Sequence, residues 1–240
     1  MIIPSHKGVK NVFYFDPTFI LVLIGLVISM FASSYVQSTY NKYNQVETSR
    51  QISGRETARW ILDGAGLKHV SIEAIQGNLT DHYSPQEKIL RLSDATRDSH
   101  SVAAIGVAAH EAGHAIQDAE NYVPMRLRGA IVPIVNIAQS ASVPILLIGM
   151  LFSFNQTLIN IGILLFAATF IFQLITLPVE FNASKRAMHI IESEQILVGE
   201  EVDQARKVLR AAAMTYVAGA IASFLTVLRL VLLFGGGRRR

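Results

Sequence analysis

Four almost unbroken apolar stretches divide this chain: Thr18–Val36, Ile131–Phe152, Leu158–Val179 and Met214–Phe234. Each approaches the roughly 20 residues that a helix needs to cross a bilayer. Between the first two lies the only large polar segment, 37–130. Within it, Ala58, Ile61, Leu62 and Ala65 recur at helical spacing, so Ser53–Gly66 reads as a short amphipathic helix ending near Gly64 or Gly66. Val70–Ile75 and Lys88–Leu92 alternate as strands do, with turn signals at Gly77-Asn78 and Ser84-Pro85. Of these, Lys88–Leu92 is expected to offer an edge to an extended peptide. Ser101–Gln117, rich in Ala, Val, Ile and Gly, predicts a second helix, in which Gly106 and the alanines permit close packing.

Only Ser153–Thr157 separates the second and third apolar stretches, so these two spans form a tight antiparallel hairpin. The chain leaves the polar segment through one and returns through the other. Residues just after Val179 are therefore expected on the same membrane face as 101–130. The organisation that follows is an N-terminal segment and first span (1–36), a polar domain (37–130), a hairpin (131–179), a helical segment (180–213) and a last span with a basic tail (214–240).

Composition agrees with this picture. Hydrophobic residues make up 51% and charged residues 16%, against about 25% charged in soluble domains. The first apolar stretch exceeds the usual length of a signal-peptide core, and Tyr40 and Tyr43 continue beyond it. It is therefore read as an uncleaved anchor. The basic residues cluster near span ends, which suits lipid headgroups rather than nucleic acid. Those on the side of the polar domain (Lys42, Arg126, Arg128, Lys185, Arg186, Arg206, Lys207 and Arg210) outnumber Lys7, Lys10 and Arg238–Arg240 on the other. This excess points to a plasma-membrane protein whose polar face is cytoplasmic.

There is no cysteine. A bound metal would therefore need His, carboxylate or carbonyl ligands. Inside the second predicted helix stands His110-Glu111-Ala112-Gly113-His114, an H-E-x-x-H pattern. Residues four apart share a helix face, so both imidazoles can address one ion. Glu111 then sits beside it, able to take a proton from metal-activated water. A catalytic zinc site needs a third protein ligand and an open position. The candidates on the same membrane face are His69, His82, Glu180, His189, Glu192 and Glu194. Glu180 is the strongest, because it opens a helical run, Glu180–Leu197, at the end of a bilayer-anchored span. His189, about 180° further around that helix, is an alternative to Glu180 and not its partner.

The chain resembles the membrane zinc metallopeptidases of the YugP-like type. The matching residues are Leu79-Thr80-Asp81-His82-Tyr83, Ala108–Gln117 around the motif, Thr176–Ser184 and Val208–Val217. The Glu180 segment is also similar to the E-x-x-A-D element of HtpX-like membrane proteases, whose glutamate is the third zinc ligand. Ser184 stands in place of that Asp, and Asn182 where the nearer family suggests Asp. The resemblance implies one Zn2+ on His110, His114 and Glu180, with Glu111 as the base of gluzincin-type hydrolysis. His82, Tyr83, Ser184 and Asn182 are then candidates for stabilising the transition state or orienting the ligands; Tyr122 and Arg186 are further candidates for the first of these roles.

The expected architecture is mainly α, with about four transmembrane helices and a small zincin-like α+β domain. The expected function is zinc-dependent cleavage of membrane proteins or peptides at the bilayer surface. Competing expectations are a non-catalytic membrane scaffold with a structural zinc, and a zinc hydrolase acting on a non-peptide substrate. The pattern specifies no oligomeric state.

Overall fold

The computed structural model describes residues 16–235; Lys7, Lys10 and Arg238–Arg240 lie outside them. Four helices are long and apolar enough to cross a membrane: α1 (Phe19–Tyr43), α5 (Val123–Leu151), α6 (Gln156–Ser193) and α7 (Glu200–Phe234). The protein is a polytopic membrane protein. Its spanning helices run past their apolar stretches without a break. At 38 residues α6 is about 57 Å long, nearly twice the hydrocarbon thickness. Glu180 therefore lies inside a continuous helix that passes through Pro178, and does not open a new one.

Small residues set the spacing of the spans, as expected where lipid is as apolar as the helix surface. A Cβ added at Gly25 of α1 would lie 3.1 Å from Ala222 Cα of α7, and one at Gly162 of α6 would lie 2.5 Å from Leu146 Cγ of α5. Asn155 closes the α5–α6 hairpin by accepting Leu158 N–H on its side chain at 3.2 Å. At the far end of the bundle, Arg229 pairs with Asp16 at 2.9 Å and lies over the Phe19 ring. It ties α7 to the start of α1 and the residues just before it.

The polar segment folds as α2 (Gly54–Gly64), β1 (Ser71–Ile75), β2 (His82–Ser84), β3 (Ile89–Ser93), the short α3 (Asp94–Arg97) and α4 (Val102–Ala119). A reciprocal Ser53–Glu56 capping box starts α2, and the Ser101 hydroxyl caps α4 by accepting Ala104 N–H at 3.2 Å. Strand order is β1-β3-β2, with β1 parallel and β2 antiparallel to β3. Both edges of β3 are thus paired, which corrects the expectation that Lys88–Leu92 offers a free edge; the outer strand on that side is β2. The apolar faces of α2 and the sheet meet α4 and the lower parts of α6 and α7 in one core, through Leu62, Leu90, Ile105, Ala109, Ile191 and Leu209. Surrounded on every side, α4 carries small residues where a surface helix would carry polar ones.

Candidate metal centre

The side chains of His110 and His114 stack one turn apart on α4, edge to face with ring centroids 4.7 Å apart. Their face meets α6 at very short range. A Cβ at Gly113 would lie 2.8 Å from the Ala183 carbonyl oxygen, so this approach admits only glycine. Gly106, by contrast, leaves ordinary van der Waals space, 3.7 Å from Ala205 Cβ. The close crossing brings Glu180, only 2% exposed, against both imidazoles. One carboxylate oxygen, Oε2, is 3.2 Å from His110 Nε2 and 3.5 Å from His114 Nε2. Ligands about 2.0–2.2 Å from a tetrahedral ion stand roughly 3.3–3.6 Å apart, so the carboxylate spacings suit zinc. The ligand atoms of all three residues fall within 4.8 Å of one another, and no cysteine or second carboxylate joins them among the described residues.

Hydrogen bonds behind the three side chains decide which atoms face the centre. Gln117 lies 2.8 Å from the Val179 carbonyl, which can only accept, so its amide nitrogen must point there; the same nitrogen donates to Asn182 Oδ1 at 2.9 Å. Gln117 Oε1 is thereby left facing His114 Nδ1 at 3.0 Å, and can only accept from it. His114 must carry its proton on Nδ1 and offer the Nε2 lone pair inward. Ser184 Oγ sits 3.1 Å from His110 Nδ1 and can accept its proton in the same way. Arg128 donates to Glu180 Oε1 at 2.9 Å, reserving Oε2 for the side facing the imidazoles. Asn182 also accepts from Arg186 Nε at 2.7 Å, which anchors the chain of bonds at its outer end.

Glu111 projects beside this group, 8% exposed. Burial pushes its carboxyl above the ordinary range, while the neighbouring imidazoles pull it back. Two lobes of open space flank the centre, about 240 Å³ and 250 Å³, and Asp81, Glu111, Glu180 and Tyr216 border both. The first lobe is apolar, reaching Val36 of α1 and Ala213 of α7; the second is bordered by His82, Arg128 and Val132.

Of the residues that the sequence points to, Ser184 touches a candidate ligand directly and Asn182 acts through Gln117. His82 borders the second lobe, with Nδ1 2.9 Å from the Thr80 carbonyl. Tyr83 also reaches that lobe, but its hydroxyl is bound to Asp118 at 2.7 Å. Arg186 pairs with Glu120 and covers the Tyr122 ring, away from both lobes. His69, His189, Glu192 and Glu194 do not join the histidine pair. Sequence reasoning does not assign Gln117, Arg128 or Tyr216 to the site. A signal does exist for Gln117, three residues after His114 on the same helix face. None marks Arg128, whose carboxylate partner is 52 residues away.

A family model described as "Putative neutral zinc metallopeptidase" matches residues 18–235. The "Putative membrane protease YugP" of Bacillus subtilis (strain 168) is 47% identical over 218 residues, covering 91% of this chain and 96% of that one. No solved structure matches the chain. With the fold, the buried His-His-Glu group and both matches in agreement, this chain belongs to the neutral zinc metallopeptidase family.

Proposed function

We propose that this protein is a gluzincin-type endopeptidase that holds one zinc ion on His110, His114 and Glu180 and cleaves membrane-associated polypeptides at the bilayer surface. The observation that carries this reading is the position of Glu180 Oε2, 3.2 Å from His110 Nε2 and 3.5 Å from His114 Nε2. Zinc bound there supplies Lewis acidity, polarising a carbonyl and acidifying water. Glu111 takes a proton from the attacking water on its carboxylate and returns it to the nitrogen of the departing amine. A carboxyl with a raised proton affinity suits both halves of that transfer. Arg128 is committed to Glu180, and Tyr83 to Asp118. Tyr216, which borders both lobes beside Glu180, is the donor proposed for the developing oxyanion, since His82 spends its Nδ1–H on the Thr80 carbonyl.

The depth of the centre supports an interfacial site. Its lobes are bordered by Val36, Val132 and Tyr216, all within or at the end of apolar spans, while α4 belongs to the polar domain. Stripping zinc with a chelator is expected to abolish cleavage of a membrane-anchored reporter peptide, and added zinc to restore it. Full activity in metal-free protein sinks the proposal. The excess of basic residues near span ends on the polar-domain side supports a plasma-membrane protein whose polar domain faces the cytoplasm. A cysteine introduced at the exposed Gln86, in a chain with no other cysteine, should resist an impermeant thiol reagent in intact cells and react after lysis. Labelling in intact cells reverses the orientation.

A further inference from the structure

Arg206, Arg210, Met214, Val217 and Ile221 recur three and four residues apart on α7 and so share one face. Along its outer half this face meets α1 in an apolar groove of about 390 Å³, floored by Ala32 and Ala218 and walled by Phe31, Tyr35, Met214 and Ile221. The two helices touch closely at Gly25 and Ala222, and the groove lies on the metal-centre side of that crossing. Along its inner half the same face meets α6 in a second hollow of about 560 Å³, reached past Met214. That hollow shares Ser184, Leu209 and Ala213 with the apolar lobe beside His110 and Glu111. The groove, the hollow and the lobe thus adjoin one another in series between the lipid-facing surface and the candidate metal centre, meeting at Met214 and at Ser184, Leu209 and Ala213.

The path changes character along its length. From Val27 to Tyr35 it follows α1 for about 12 Å, with small residues on the floor where another helix can pack closely. At its inner end the exposed Lys185 and Arg210 have no carboxylate partner among the described residues, whereas Arg206 is committed to Glu192 and Asp203. An apolar groove ending in two unpaired cations complements a membrane span followed by acidic residues. Resting on the peptidase reading above, we infer that this groove receives the transmembrane segment of a polypeptide substrate. Lys185 and Arg210 hold its acidic juxtamembrane residues, so that the adjoining chain passes Ala213 and Ser184 into the cleft. An anionic lipid offers the same charge and apolar tail; the polypeptide is favoured because the path opens sideways onto a centre suited to cutting peptide bonds.

The test uses full-length, zinc-loaded protein in liposomes of neutral lipid, with two synthetic single-span peptides. They differ only in carrying Glu or Lys residues just beyond the span on the polar-domain side. The Glu-bearing peptide should be cleaved about tenfold faster, and K185E/R210E should reverse the order. A photoreactive benzoylphenylalanine at Phe31, in the Glu111→Gln background, should crosslink to the Glu-bearing peptide whether or not cleavage occurs. Equal cleavage of both peptides by both proteins, or crosslinks to lipid alone, overturns the groove assignment. Crosslinking to the peptide with no cleavage by the wild type instead overturns the peptidase reading and leaves the groove standing.

Discussion

Replacing Glu111 with Gln is expected to lower peptide-bond cleavage by about 10²–10⁴-fold while zinc content stays at the wild-type level. The carboxamide matches the carboxylate in shape, so it should fit the same buried position between α4 and the flanking lobes. It cannot accept a proton from water and hold it for the leaving nitrogen. Zinc should remain because Glu111 lies beside the ligand group and is not a member of it. The paired measurement is the rate on a membrane-anchored reporter together with metal analysis of the same preparation. Wild-type cleavage by the variant would remove Glu111 from the mechanism. Loss of zinc along with activity would recast it as part of the metal-holding structure.

The second large effect is expected at Glu180. Glu180→Gln should lower zinc affinity by at least roughly 100-fold, since loss of even an orienting partner commonly costs 10–100-fold. The reason is local. Oε2 alone faces both imidazoles, while Oε1 is held by Arg128. A carboxamide oxygen can replace only one of the two acceptors, and Arg128 will draw it outward. The amide nitrogen then faces the histidines and brings no lone pair to an ion. The loss of negative charge also leaves the Arg128 guanidinium unneutralised near the site. Metal analysis after dialysis against buffered zinc measures the effect, and unchanged occupancy would exclude Glu180 as a ligand.

Several features are legible in the sequence because their causes are local. Runs of about twenty apolar residues carry their own meaning, because a bilayer leaves a spanning backbone no partner except its own helix. The H-E-x-x-H spacing places two imidazoles on one helix face for the same local reason. Ser53 with Glu56 marks the start of α2. Other features escape such reading. β2 is three residues long, too short for alternation to register, and without it β3 resembles an edge. Glu180 resembles a helix start because the apolar run ends there, yet the backbone continues through Pro178, whose missing N–H a neighbouring helix environment tolerates. The Arg229–Asp16 pair escapes a local reading because its members lie 213 residues apart.

By itself the sequence determined the spans, the histidine pair and the membrane face to which the α5–α6 hairpin returns, since each depends on spacing along a single segment. Only the tertiary structure decided that Glu180 Oε2 would stand 3.2 Å from His110 Nε2. That distance rests on how closely α4 crosses α6. The crossing is set by the bare Cα of Gly113 against the Ala183 carbonyl, and by a Gln117 amide whose orientation the Val179 carbonyl dictates. Such contacts join residues some 60 to 75 positions apart. Their geometry arises from packing, which local periodicity does not encode.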